Sequence, residues 1–486
     1  MRASTDPSSD ASLGRATLPA FTPAERESFF DGIARHRRSA SRLAAVALAC
    51  ASVLALVVAA LMAPLLYALI GLLLDLVNHL TPMPDLIRSI TDSMSALIDH
   101  MDVVSLSRWL GVLVVAALPG LVLMTLAWRA LGRAMREAMG GEALAASTRP
   151  VDATALAEQR FANVVAEMAI AAALPPPNVR VATSDAVNAV AFGADRGHAS
   201  IVVTSGLLAS LERAQLQGIA AHLVGSIANG DMRIGARYAS VLGMFGLIAR
   251  LSTSFTDREA ARRFAALLRH ALRPGGGAGD GVLAMQLTNP FEPEKGASHG
   301  ASGESDIPAW RTWLWMPLAG PLVISGFFGG LLCMVLLGPL LALSWRRRKY
   351  LADAIAVQLT RDPAALGAAL GQLRGAPVAG AFGDWIAHLC VVPPGSSGAA
   401  SILGGSAVPM APSLDRRLVA LGIMGAHVTP HTAKAMPAWA WAILLPLGAI
   451  VAGLLGMVVF GLLYVSIALS MLFTWLPAVL LHALLR

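Results

Sequence analysis

The stretch AHLVGSIANGD, Ala221 to Asp231, closes an apolar pattern that begins at Ala214. Leu216, Ile219, Leu223 and Ile227 recur at helical spacing, which predicts an amphipathic helix over 214–228. Asn229-Gly230 supplies its end, because glycine readily takes the left-handed conformation of a helix C-terminus. His222 and Ser226 stand four apart and therefore share a helix face. Three short runs upstream, Val179–Ala182, Ala186–Phe192 and Ser200–Thr204, read as strands. Before them, Phe161 to Ala173 has helical periodicity and stops at Pro175-Pro176-Pro177.

This polar unit sits in an unusually apolar chain. Of 486 residues, 56% are hydrophobic and only 14% charged, against roughly 25% charged in a soluble domain. Leu43–Leu74, Trp109–Trp128, Thr312–Trp345 and Ala435–Leu485 carry no Asp, Glu, Lys or Arg over 32, 20, 34 and 51 residues. Each is long enough for a bilayer, which needs ~20 apolar residues. Trp residues stand near their ends, as headgroup-level anchors do. A shorter run, Tyr238–Ala249 between Arg237 and Arg250, suits a buried or interfacial helix as well as a crossing.

Arginines set the expected orientation. Arg35, Arg37, Arg38 and Arg42 precede the first run, Arg129, Arg133 and Arg136 follow the second, and Arg346–Arg348 with Lys349 follow the third. The positive-inside rule then leaves the N-terminus and the polar unit in the cytoplasm. The first 30 residues lack the apolar core of a signal peptide, so the first run reads as an uncleaved anchor. The net charge of +7 lies beside apolar runs and forms no patch interleaved with aromatics, which argues against nucleic-acid binding. Cys50, Cys333 and Cys390 are too dispersed for a disulfide framework or a CxxC metal knuckle.

Several words of the chain, in order, resemble the HtpX and CAAX-prenyl-protease family of membrane zinc metallopeptidases. Asn163–Glu167 is similar to its NVVEE-like helix, Asn188–Gly193 to NAFATG, and Val203–Leu208 to VTxGLL. Ala221–Asp231 resembles AHExGHIxNGD, Arg347–Ala354 resembles RREYxADA, and Pro412–Leu418 resembles HPPxxxRI. The resemblance implies a mostly α, integral-membrane fold: a zincin-like helical domain with a small β-sheet, flanked and interrupted by transmembrane helices. The expected organisation is a disordered cytoplasmic tail over 1–40 and a transmembrane hairpin with a polar loop over 41–128. The first part of the metallopeptidase-like domain covers 129–311, with a Gly/Ser/Pro-rich flexible insertion at 274–305. A transmembrane segment at 312–345, the second part of the domain at 346–434 and a C-terminal hairpin at 435–486 complete it.

The same resemblance exposes a degenerate site. HExxH works because two histidines four apart ligate one zinc while the Glu between them acts as general base on the metal-bound water. In the family the Glu of EYxAD is the third ligand. Here His222 matches the first histidine, Leu223 stands at the base position, Ser226 at the second ligand and Lys349 at the third. Leu has no exchangeable proton, a neutral hydroxyl is a poor zinc ligand, and an ammonium has no lone pair. Loss of general-base help alone costs about 10²–10⁴ in rate. No intact catalytic or metal-ligating set is therefore expected, and no cofactor, although active relatives use zinc. Asp353, four residues after Lys349 on one expected helix, stands behind the ligand-equivalent positions and is available to pair with that amine; alternatively Lys349 continues the basic membrane anchor. His388 beside Cys390, and His427 with His431, are weaker metal candidates.

The expected function is that of an inactive pseudoprotease, probing polypeptides by binding rather than cutting. Asn188, Ala189, Val190, Ala191 and Phe192 form the candidate edge strand for peptide addition. The implied partners are the lipid bilayer and polypeptide substrates or an active protease, in a bacterial inner membrane, as a regulator or adaptor of membrane protein quality control. The alternatives are an active zinc metalloendopeptidase with rearranged ligands, and a structural or transport protein that reuses the scaffold. Transport is disfavoured by the absence of charges from the apolar runs.

Overall fold

The computed structural model describes residues 28–78, 106–139, 148–253, 322–374, 388–393 and 410–426, with isolated positions at 265 and between 454 and 465. Most of the C-terminal hairpin, the 274–305 insertion, the loop after Asn78, and His427 and His431 lie outside the described residues.

Two helices open the chain, α1 (Phe29–Asn78) and α2 (Leu106–Met139). They pack closely: a Cβ placed on Gly120 of α2 would lie 2.4 Å from the Ala59 carbonyl oxygen of α1, the small-residue contact that lets membrane helices approach. On the opposite side of α2, Val114, Leu118, Val122 and Leu126 are exposed at four-residue spacing. An apolar stripe of that length facing outward needs a lipid solvent. Among the described residues, Phe29–Gly71 and Leu322–Thr360 are the helices long and apolar enough to cross a membrane. The tail expected over 1–40 is helical from Phe29 onward. That end is held by packing: His36 stacks on Tyr350 at 5.4 Å between ring centroids, and Ser344 Oγ donates to the Ala40 carbonyl.

The polar unit follows. Strand β1 (Arg149–Pro150) precedes α3 (Leu156–Ala171), then β2 (Asn178–Ala182), β3 (Ala189–Gly193) and β4 (Ala199–Thr204). The sheet order is β1-β2-β4-β3, with β2 and β4 parallel and the other pairs antiparallel. Thr204 joins sheet to helix: its Oγ1 donates to the Asn188 carbonyl and accepts from Leu207 N–H at the start of α4 (Ser205–Ser210). Helix α5 (Arg213–Asn229) contains the opening motif and ends at Gly230, φ 69°, as its sequence requires. Helix α6 (Asp231–Thr253) holds the ambiguous Tyr238–Ala249 run; it packs on α2 and buries Leu242, Met244, Phe245, Leu247 and Ile248.

From Leu322 a helix runs through a π-turn at Cys333–Leu337 into α7 (Gly338–Thr360). Helices α8 (Pro363–Gln372) and α9 (Leu414–Ile423) follow. Asp362 caps α8 through its side chain, and Arg361 leaves α7 in a left-handed conformation. Helices α3, α7 and α8 all pack against α5, so the opening motif lies at the centre of the polar unit.

Gly218 allows α8 to approach α5: a Cβ there would fall 2.8 Å from Leu366 Cα. Gly218→Val should force the helices apart and cost about 1–3 kcal/mol. Gly371→Ala, where a Cβ meets nothing within 4 Å, should be neutral or slightly stabilising. Thermal midpoints of the two variants in one detergent would check this, and equal midpoints would contradict the close packing.

Candidate functional site

Helix α5 carries His222 into the interior, fully buried. Its Nδ1 lies 2.8 Å from Asp353 Oδ1, on α7. Asp353 is held in turn by Arg417 of α9, through Nε to Oδ2 at 2.9 Å and Nη2 to Oδ1 at 2.7 Å. This bidentate fork is the strong form of a carboxylate ion pair. Burial alone would raise the Asp353 pKa, but the Arg417 guanidinium and the His222 ring outweigh it and hold the carboxyl well below the usual range. Burial pushes His222 down from its ordinary 6.5 to about 4, opposed by Asp353 and reinforced by Arg417 and Lys349. The ring is then neutral, with Nδ1–H donating to Asp353. His222 Nε2 is buried without a hydrogen-bond partner.

That lone pair is what a metal ligand needs, but the surrounding groups do not fit zinc. Leu223 is buried and apolar at the base position. Ser226 Oγ donates to Asp231 Oδ2 at 2.7 Å, and Asp231 also accepts from Arg348 Nε at 2.6 Å. Lys349 is 2% exposed and donates from Nζ to the Leu389 carbonyl at 3.1 Å and the Cys390 carbonyl at 2.8 Å. Neither expectation for Lys349 holds: it is no surface anchor, and Asp353 pairs with Arg417 and His222 instead. Burial, with Arg417 next, lowers Lys349 from its ordinary 10.5 to about 8. Its protons are directed at the two carbonyls, and in its protonated form it offers a metal no lone pair. Among the described residues no three His, Cys, Asp or Glu side chains are placed to share a metal ion. His388 is buried against Trp345, and its Nε2 also lacks a partner.

β3, with Asn188 before it, is the edge in sheet order, and this chain's own residues 390–392 meet the outer side of its first half. Val190 bridges Cys390 antiparallel, and Val391 N–H donates to the Ala189 carbonyl. Ala189, Val190, Ala191 and Phe192 are all buried, and a buried edge must satisfy its main-chain groups. Five consecutive carbonyls of the covering segment accept from side chains. The donors are Trp345 to His388, Lys349 to Leu389 and Cys390, Arg417 to Val391, and Asn188 to Val392. Asn188 also accepts from Val392 N–H. Sequence reasoning gave no role to Arg417 or to the Asp231 carboxylate; the HPPxxxRI-like word was the available signal for the arginine.

The family model for peptidase family M48 matches residues 155–422, more than half of the chain. The chain belongs to peptidase family M48. It is similar to a "Protease HtpX homolog" of Acidiphilium cryptum, 32% identical over 182 residues, 37% of this chain and 60% of that protein. A homolog of the same name from Tropheryma whipplei is 30% identical over 216 residues, 44% of this chain and 56% of the relative. One from Thermoanaerobacter pseudethanolicus reaches 42% over 86 residues, 18% and 29%. The chain thus spans less than two thirds of the length of these relatives. No solved structure matches it. The M48 match and the apolar helices together make this an HtpX-like membrane protein of the metallopeptidase family.

Arg417→Ala should leave the Asp353 carboxylate buried and unpaired in this M48 chain, destabilising it by about 3–5 kcal/mol. The pH dependence has a definite sign. His222 and His388 are depressed to about 4 and about 3 from 6.5, so the unfolded chain binds the extra protons. Their stabilisation is complete above pH 6.5 and is lost as pH falls towards 4. A denaturation midpoint that rises on acidification over that interval would contradict the two neutral buried rings.

Proposed function

We propose that this chain is a catalytically silent member of family M48 that acts by binding polypeptide. It would serve as a regulator or adaptor in the quality control of membrane proteins, in a bacterial inner membrane, with its N-terminus and peptidase-like unit on the cytoplasmic side. The supporting observation is the Lys349 ammonium: it occupies the third-ligand position and is committed to two main-chain carbonyls of residues 389–390. With Leu223 at the base position, the carboxylate that would act as general base on a metal-bound water is missing.

The groove nevertheless retains chemistry for an extended chain. Asn188, Arg417 and Lys349 recognise peptide groups rather than side chains, so their contacts require no particular sequence. A partner strand would have to displace residues 390–392 from β3, exchanging one set of main-chain bonds for another.

Purified protein should hold far less than one zinc per chain and should not cleave casein. Chelator-sensitive cleavage abolished by His222→Ala would overturn the reading. The combined change Leu223→Glu, Ser226→His and Lys349→Glu should restore zinc binding, because the helices carrying these positions remain packed together. Binding has its own readout. Cys390 is 2% exposed, so in a Cys50→Ser/Cys333→Ser background its alkylation reports opening of the covering segment. Lys349→Met should accelerate it, as should an unfolded polypeptide added to the unaltered groove. A Lys349→Met response without any polypeptide response would reject strand exchange.

A further inference from the structure

We propose that the cavity between α2 and α6 binds the phosphate of an anionic phospholipid headgroup. Arg129, Arg133 and Arg136 project into it from α2, and Arg233 and Arg237 from α6. Their spacings of three and four residues put each set on one helix face, and the packing of α2 on α6 turns the two faces together. The cavity is about 480 Å³, and among the described residues no Asp or Glu lines it. Trp128 stands at the edge, while Met139, Met232 and Ala236 provide apolar walls. Among the described residues Arg129, Arg136, Arg233 and Arg237 have no carboxylate partner. The guanidiniums of Arg129, Arg136, Arg233 and Arg237, drawn to one concavity, repel one another unless an anion joins them. Their planar forks suit phosphate oxygens.

Its level along the helices identifies the source of that phosphate. The uncharged run of α2 ends at Trp128, and the run in α6 begins at Tyr238, immediately after Arg237. The cavity therefore lies where both helices pass from apolar to charged sequence. A separate cavity repeats the arrangement on another helix pair. Arg35, Arg38 and Arg42 of α1 meet Arg347 of α7, with Leu43 and Leu343, around about 610 Å³. There the run of α1 begins at Leu43 and that of α7 ends at Trp345. Each of the two arginine-lined cavities lies where apolar runs give way to charge, the level at which a helix meets lipid phosphates, whereas soluble anions have no reason to prefer that level.

The test uses the full chain in neutral detergent, titrated by native mass spectrometry with phosphatidylglycerol and phosphatidylcholine of identical acyl chains. Phosphatidylglycerol should bind at least about tenfold more tightly, and Arg129→Gln/Arg233→Gln/Arg237→Gln should weaken it by up to about 100-fold, each basic residue near a membrane surface contributing a factor of several. Arg160→Gln/Arg213→Gln/Arg361→Gln, with the same charge change at exposed positions that line neither cavity, should bind as the parent does. The single Arg233→Gln variant should lose part of the affinity and supplies the answer if the triple variant fails to fold. Equal binding of the two lipids would overturn the proposal, as would equal losses in the cavity and control variants. Displacement of phosphatidylglycerol by equimolar inorganic phosphate would reject the lipid as the ligand.

Discussion

The bidentate pair between Arg417 and Asp353 is the constraint on which the polar unit depends. A carboxylate with no solvent access is tolerable only when its charge is met and its lone pairs are used. Arg417 meets the charge from α9, and His222 occupies the remaining acceptor from α5. Three helices distant in sequence are thereby fixed around one buried anion on α7. Arg417 also donates to the Val391 carbonyl, so the segment over β3 is tied to the same centre. The interaction places the His222 ring and limits how far α5 can move from α7.

Around that centre the polar groups serve structure where the family resemblance implies catalysis. Ser226 and Arg348 share the Asp231 carboxylate, and Arg348 also reaches the Asn229 carbonyl at the end of α5. Lys349 satisfies carbonyls that would otherwise be buried without donors. The side chains at the ligand-equivalent positions 226 and 349 thus have satisfied hydrogen bonds within the fold. His222 Nε2 is the exception, an acceptor still directed into the interior with nothing to receive.

Local signals made much of the fold legible. The 3.6-residue period of Leu216, Ile219, Leu223 and Ile227 specified α5, and Asn229-Gly230 specified its end because few other residues tolerate the required conformation. The three β-branched runs became β2, β3 and β4 with shifts of one to three residues at their ends. Uncharged length sufficed to find α1 and the helix from Leu322. The partner of Asp353 was not legible, since Arg417 is 64 positions away and pairing across that separation leaves no periodic trace. Nor was the contact of residues 390–392 with β3, because the main-chain bridge at Val190 and Cys390 depends little on which side chains those residues carry. Lys349 misled for a related reason: next to three arginines its charge reads as part of an anchor, and only the rotation of α7 turns it inward.

The position of Lys349 also bears on how such a chain can evolve. A return to three zinc ligands and a base must pass through intermediates, and each first step meets a penalty. Glu at 349 alone would set a carboxylate against the carbonyl oxygens of Leu389 and Cys390. Glu at 223 alone would bury a charge where a leucine now packs, and His at 226 alone would remove the hydroxyl that serves Asp231. Zinc could repay these costs only after all the changes were present. The buried amine therefore acts as a ratchet: from the present side chains, no single substitution reaches a set of three ligands and a base.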